Sequence, residues 1–268
     1  MVEPAAVSYC GAPPDPQQIW ARWNLDPVLI GALALLYVAY LAGARRGGAD
    51  RRRRIAFTAG WLATGLALIS PLCPLSVSLF AARVGQHMFL VLIAAPLVAR
   101  GCPLAAWRAL LPRSRRRDAR RHPAYAPLAS AGAFAVLLAY WHAPQPYTVT
   151  FESTGVYWLM HLTLFGSAVW LWASLLDRAA LAPAAGAVGV ATGAMSLIGA
   201  VLTFAPRPLY PPHALTPYAW GLTPLQDQQL GGALMWAPAG VIVVLAIVAA
   251  VARLLNDSGR PVGSRAAA

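Results

Sequence analysis

The chain has 268 residues, of which 59% are hydrophobic and 11% are charged, and its mean hydropathy is +0.57. Soluble domains carry about 25% charged residues, so this composition excludes both a soluble globular protein and a disordered one. All 21 basic residues behind the net charge of +12 are arginines, and they lie in short clusters between long apolar stretches, which is typical of a membrane protein rather than a nucleic-acid-binding one.

Seven apolar stretches are long enough to cross a bilayer, which takes about 20 residues as an α-helix. In chain order, the predicted helices cover residues 27–44, 55–72, 78–98, 124–142, 154–176, 185–205 and 229–252. We therefore predict an all-α polytopic bundle of seven transmembrane helices over residues 27–252. Residues 1–26 form an external N-terminal segment in this prediction, and residues 253–268 form a tail expected to be disordered.

The arginines predict the orientation of the bundle. The segments on one predicted side, 45–54, 99–123, 177–184 and 253–268, contain 18 arginines, and those on the other side contain 2. Because cytoplasmic loops carry the excess of positive charge, the N-terminus is predicted outside and the C-terminus in the cytoplasm. The remaining arginine, Arg83, lies inside the third span.

The three cysteines have no spacing typical of a metal site. Cys10 and Cys73 are both predicted outside, which allows a disulfide between them, whereas Cys102 is predicted on the cytoplasmic side. The sequence contains no CxxC, phosphate-binding loop or GxSxG motif. These absences give no support to a hydrolase or a nucleotide-driven pump, and we predict that the protein is not an enzyme.

Several polar residues are predicted at one depth in the outer half of the membrane. At about 1.5 Å of helix rise per residue, His87 lies roughly 13 Å deep, His161 roughly 10 Å and Met235 roughly 9 Å. His142 lies at the outer end of the fourth span. Ionisable residues at such depths are costly and are often functional, although a single buried histidine or methionine is more often a packing residue.

Imidazole and thioether are ligands that suit copper, and thioethers favour Cu(I). We therefore predict a copper site formed by His87 and His161, with His142 and Met235 as auxiliary ligands. Gln86, Asp227 and Gln228 are candidates for orienting the imidazoles. A charge at the depth of Arg83 needs a partner or a path to the surface, and we hypothesise that it pairs with Asp227.

The motifs around these residues resemble a known family, the CtaG-type cytochrome c oxidase assembly factors. The resemblance rests on Gln86-His87-Met88-Phe89-Leu90 with Ala95-Pro96-Leu97 and Gly101-Cys102-Pro103, on Trp141-His142-Ala143-Pro144, on His161, and above all on residues 220–236 with their Asp-Gln-x-x-Gly-Gly-x-x-Met-Trp pattern. It covers the chain from about Trp20 to the end of the seventh span. One departure is Arg83, which stands where the family tends to have a second histidine, one turn before His87.

The resemblance implies an assembly factor for a haem-copper oxidase in a bacterial inner membrane, with oxidase subunits as partners. Its members are thought to act through the copper of the oxidase, so we expect this chain to hold or present Cu(I) at the outer side. Because a guanidinium cannot bind a metal and repels cations, Arg83 implies a smaller site or none tightly occupied. Two alternatives remain: a membrane haem protein ligated by the same His87 and His161, and a copper transporter.

Overall fold

A computed structural model of the chain describes residues 8–112, 126–176, 181–237 and 240. This part is all-helical, and its α-helices are α1 (Pro27–Arg46), α2 (Arg51–Ile69), α3 (Leu72–Ser78), α4 (Phe80–Phe89), α5 (Ala95–Arg100), α6 (Pro103–Arg108), α7 (Ala126–His142), α8 (Pro144–Glu152), α9 (Thr154–Leu175), α10 (Leu181–Phe204) and α11 (residues 224–237). Short 3-10 helices cover Ile19–Ala21, Pro211–His213 and Thr216–Trp220.

The predicted all-α class is confirmed, and the number of spans is confirmed in part. Within the described residues, four helices are long and apolar enough to cross a membrane, and two bent helix pairs raise the number to six. The bends are 46° between α2 and α3 and 72° between α7 and α8. Most of the predicted seventh span and the whole tail, residues 253–268, lie outside the described residues, so seven spans and the orientation stay predictions.

Local sequence signals explain where three spans begin. The carboxylate of Asp26 accepts a hydrogen bond from Val28 N at the start of α1, and Asp50 accepts one from Arg53 N at the start of α2. Ser153 caps α9 in the same way through its hydroxyl. Such caps satisfy backbone N–H groups that have no partner inside the helix.

The third span is continuous from Phe80 to Arg100 but changes its helical geometry in the middle. A π-helical segment, Leu90–Ala94, joins α4 to α5 just before Pro96. Because Pro96 has no N–H to donate to the preceding turn, the backbone hydrogen bonds there rearrange. The effect of Pro96 on the third span therefore takes the form of a π-helical segment.

The third span lies at the centre of the described bundle. Its α5 packs against both α2 and α9, α9 packs against α7, and α7 packs against α10. The largest buried cluster combines residues from α4, α7, α9 and α10, among them Met88, Phe134, Met160 and Met195. The polar face of α4 is therefore enclosed by protein rather than by lipid.

The N-terminal segment is tied to the bundle by covalent and aromatic contacts. Cys10 and Cys73 form the disulfide that their predicted side allowed. Tyr9 stacks on Tyr157 with 4.8 Å between ring centroids and donates a hydrogen bond to Asp26 at 2.5 Å. Residues 8–26 thus cover the end of the bundle at which α9 begins, while Cys102 is free and exposed.

Close packing of α1 on α6 depends on Gly43. A Cβ added at Gly43 would lie 2.0 Å from Ala106 O, whereas one added at Gly31 on the same helix would meet nothing within 4 Å. We expect Gly43→Ala to lower the free energy of unfolding by about 1–3 kcal/mol, as overpacking does in a close-packed core. Chemical unfolding of the detergent-solubilised protein measures this, with Gly31→Ala as the matched control. Equal midpoints for the two variants would contradict the close approach.

Candidate functional site

Two histidines from different spans face each other inside the bundle. His87 on α4 and His161 on α9 have ring centroids 5.1 Å apart in an edge-to-face arrangement. Both are buried, and neither Nε2 atom has a hydrogen-bond partner. Since buried polar atoms are normally paired, two unpaired ring nitrogens on adjacent imidazoles indicate a place where something else binds.

The hydrogen bonding of His161 fits a role as a ligand. Its Nδ1 lies 3.1 Å from Tyr157 O, and a carbonyl oxygen can only accept a hydrogen bond. Nδ1 therefore carries the proton, which leaves the lone pair of a neutral ring on Nε2. Metal-binding histidines are commonly oriented by such a second hydrogen bond.

Arg83 lies one turn before His87 and is enclosed by aromatic rings. Its side chain is 1% exposed, and its guanidinium carbon is 4.4 Å from the Phe151 ring centroid and 4.9 Å from that of Tyr147. Its Nη2 donates to Thr150 Oγ1 at 2.6 Å. Cation–π contacts of a desolvated guanidinium contribute up to about 2 kcal/mol or more, so the rings offset part of the cost of burying this charge.

The structure does not contain the hypothesised ion pair between Arg83 and Asp227. The two carboxylate oxygens of Asp227 accept hydrogen bonds from Phe80 N at 2.7 Å and Ala81 N at 3.0 Å. Asp227 thus serves the first turn of α4, where backbone N–H groups lack partners and the helix dipole favours a negative charge. Among the described residues, the one ion pair within 4.0 Å joins Arg53 to Asp50.

The two glutamines predicted to orient the imidazoles make other contacts. Gln86 Nε2 donates to Ala67 O at 2.7 Å and so links α4 to α2. Gln228 Oε1 accepts from Leu209 N at 2.6 Å, and its Nε2 donates to Leu202 O at 3.2 Å. These bonds hold helices and a loop together, although Gln86 Oε1 is buried without a partner.

The positions of His142 and Met235, the two predicted auxiliary ligands, give little information about a metal site. His142 ends α7, and its Nδ1 donates to Leu138 O at 2.8 Å. Met235 is fully buried in the main hydrophobic cluster. In the described ranges, no three His, Cys, Asp or Glu side chains form a group able to hold a metal ion. A centre with three such ligands is therefore not preformed in this part of the chain.

Sequence reasoning missed the residues that enclose the site. Tyr157 lies one turn before His161, its ring is 4.3 Å from that of His161, and its hydroxyl is 3.3 Å from Cys10 Sγ. The Tyr147 and Phe151 rings beside Arg83 come from α8, in a segment that lies between two of the predicted spans. The i, i+4 spacing of Tyr147 and Phe151 was the available signal, because it puts both rings on one helix face.

His213, which lies between the predicted sixth and seventh spans, is buried beside this aromatic group. Its Nε2 and the Tyr147 hydroxyl are hydrogen-bonded at 2.7 Å. Burial, together with the nearby positive charge of Arg83, lowers the pKa of His213 to about 3. Its ring is therefore neutral at physiological pH and acts as a fixed hydrogen-bonding partner rather than a charge.

The family model of the cytochrome c oxidase caa3 assembly factor (Caa3_CtaG) matches residues 35–257. No curated protein and no solved structure matches the chain.

Proposed function

The chain belongs to the cytochrome c oxidase caa3 assembly factor family, and from this we propose that it assists oxidase assembly by holding Cu(I) between His87 and His161 as cargo for an oxidase subunit. The role is one of assembly rather than catalysis. It is exercised at the outer side of a bacterial inner membrane, where the positive-inside rule predicts that both histidines lie.

The observation that carries this proposal is the pair of unpaired Nε2 atoms on two adjacent buried imidazoles. Metal–imidazole bonds are about 2.0 Å long, so two Nε2 ligands of one ion lie within about 4 Å of each other. The ring centroids are 5.1 Å apart, which is a separation compatible with both imidazoles binding one ion. Neutral imidazoles suit Cu(I) at membrane depth, because no charged ligand has to be buried with it.

Arg83 supports a cargo site rather than a permanent one. Its positive charge, one turn from His87, opposes a cation held nearby, so it weakens retention of the ion. Its Nη2 donates a hydrogen bond to Met160 Sδ at 3.6 Å, so this thioether is engaged by the guanidinium rather than free to bind the ion. A site with two imidazoles and a neighbouring positive charge is expected to bind copper and to release it.

The edge-to-face contact of the two rings also favours an ion over a haem. A bis-histidine haem requires a wide, flat macrocycle to pass between its two axial ligands. Here each ring borders the other directly, and His161 also packs against Tyr157 at 4.3 Å. An absorption spectrum separates these cases, because we expect no Soret band from the purified protein.

The test is the Cu(I) content of the purified protein under reducing, anaerobic conditions. We expect close to one copper per chain for the unchanged protein, and at least a fivefold lower content in His87→Asn and in His161→Asn. His122→Asn, which alters a histidine of the predicted cytoplasmic loop, is the matched control and should keep its copper. X-ray absorption at the copper edge should report nitrogen ligands that the first two variants lack.

Two results would overturn the copper assignment. The first is equal copper content in all three variants, provided that each elutes as a single species in size-exclusion chromatography. The second is copper uptake into vesicles carrying the protein, which would make it a transporter. Retained oxidase assembly in a strain with either site variant would separate the assembly role from copper.

A further inference from the structure

A long cleft of about 1410 Å³ is lined by residues of α1, α2, α5, α6 and α9. At one end it is lined by Asp26 and Trp158, where α1 and α9 begin. At the other end it is lined by Arg52, Arg53, Arg100 and Arg108. Its lining along α2 runs from Arg52 to Leu68, so at about 1.5 Å of rise per residue the cleft extends over roughly 24 Å, which is most of the membrane thickness.

The middle of the cleft suits hydrocarbon. Its walls there include Leu33, Val98, Phe165 and Val169. Two polar groups of the wall are already engaged, since Trp61 Nε1 donates to Leu33 O at 2.9 Å and Thr64 Oγ1 donates to Gly60 O at 2.9 Å. His161 also lines the cleft, and its Nε2 is the unpaired polar atom described above. An occupant of this region therefore finds few free hydrogen-bond partners and gains by burying apolar surface.

The arginine end suits an anion. Four arginines line it, and among the described residues the one carboxylate in its lining at this end, that of Asp50, lies 3.9 Å from Arg53 Nε. Three positive charges remain in excess at this end of an otherwise apolar cleft. Guanidinium groups bind phosphate oxygens with paired, charge-assisted hydrogen bonds.

We propose that the cleft is a binding site for one anionic phospholipid. Its phosphate group lies on the arginines contributed by α2, α5 and α6, and its acyl chains extend between α1 and α9 towards the middle of the membrane. Basic pockets between transmembrane helices on the cytoplasmic side are known to suit such headgroups. The positive-inside rule predicts that the arginine end is that side.

Charge complementarity selects a lipid over a transmembrane helix of a partner protein. Membrane helices carry Lys and Arg at their cytoplasmic ends, so a partner helix would bring positive charge against these four arginines. A second copy of this chain would do the same, because 18 of its 21 arginines lie in the predicted cytoplasmic segments. An anionic lipid brings both the apolar chains and the negative charge that the cleft lacks.

The test is lipid binding by the full chain in detergent, followed by native mass spectrometry with phosphatidylglycerol as the probe. The variant Arg52→Gln/Arg108→Gln removes two cleft arginines and is expected to weaken binding about tenfold. Arg45→Gln/Arg46→Gln removes two charges from the neighbouring end of α1, outside the cleft lining, and is the matched control. It should bind as the unchanged protein does, and phosphatidylcholine should bind at least tenfold more weakly to all three.

A second variant tests the apolar part without changing charge. Val169→Trp fills the cleft beside α9 and should weaken phosphatidylglycerol binding while leaving the thermal unfolding midpoint within a few degrees. Inorganic phosphate at equal concentration should not displace the lipid, because it lacks acyl chains. Three results would each overturn the proposal. The first is an equal loss of binding in the cleft and control arginine variants, and the second is displacement of the lipid by phosphate. The third is a photo-crosslink to a protein rather than a lipid from position 36, where Leu36 lines the cleft.

Discussion

Replacing Asp227 with alanine is expected to lower the free energy of unfolding by about 2–6 kcal/mol. Its carboxylate accepts the N–H groups of Phe80 and Ala81 at the start of α4. Each buried N–H group left without an acceptor costs about 1–3 kcal/mol. Because Arg83 and His87 follow on the same helix, the loss should also reduce copper retention. Denaturant unfolding in detergent and copper analysis of the same samples measure both effects.

Two further variants decide what Asp227 does. Asp227→Asn keeps one acceptor oxygen and should lose about half as much stability as the alanine variant. Combined with Arg83→Met, the alanine variant should show additive effects, within about 0.5 kcal/mol, because the two side chains have different partners. A coupling energy well above that value would instead support the Arg83–Asp227 ion pair hypothesised from the sequence.

Removing the Cys10–Cys73 disulfide is expected to cost about 4 kcal/mol under the chain-entropy account, because the two residues are 63 apart in sequence and the bond closes a long loop. The serine variants should therefore unfold at a much lower temperature. They should also expose residues 8–26 to proteolysis. Cys102→Ser changes a free, exposed cysteine and is the matched control, with an unaltered melting temperature and cleavage pattern.

The disulfide should also influence the histidine pair, because Tyr157 joins the two. The Tyr157 hydroxyl lies 3.3 Å from Cys10 Sγ, and its ring packs on His161 at 4.3 Å. We expect Cys10→Ser to speed copper release measured with a Cu(I) chelator by about tenfold. A release rate equal to that of Cys102→Ser would show that the N-terminal segment does not cover the site.

Several features of this protein could be read from the sequence because they depend on local chemistry. Long apolar stretches predicted the helices, and the first predicted span begins at residue 27, where α1 begins in the structure. Depth along each helix could be counted, which predicted that His87 and His161 lie at one level. The resemblance to an assembly-factor family rested on short motifs and agrees with the family match.

The partners of the buried polar residues could not be read in this way. Both Arg83 and Asp227 lie near one predicted surface, and their opposite charges favoured a pair. In the structure, the Asp227 carboxylate instead accepts hydrogen bonds from the start of α4. The Arg83 guanidinium contacts Thr150 and the aromatic rings of α8. Depth restricts which residues share a level, but it does not determine which of them face each other.

The sequence by itself therefore determined the class of protein, the position of most spans and the level of the candidate site, since each follows from hydropathy, charge and helix rise. Only the tertiary structure decided that His87 faces His161, that Asp227 caps α4 and that Cys10 bonds Cys73. The physical reason is that lipid is as apolar as leucine, so hydropathy distinguishes the faces of a membrane helix poorly. The rotation of each helix, and with it every contact of the site, is decided by packing against its neighbours.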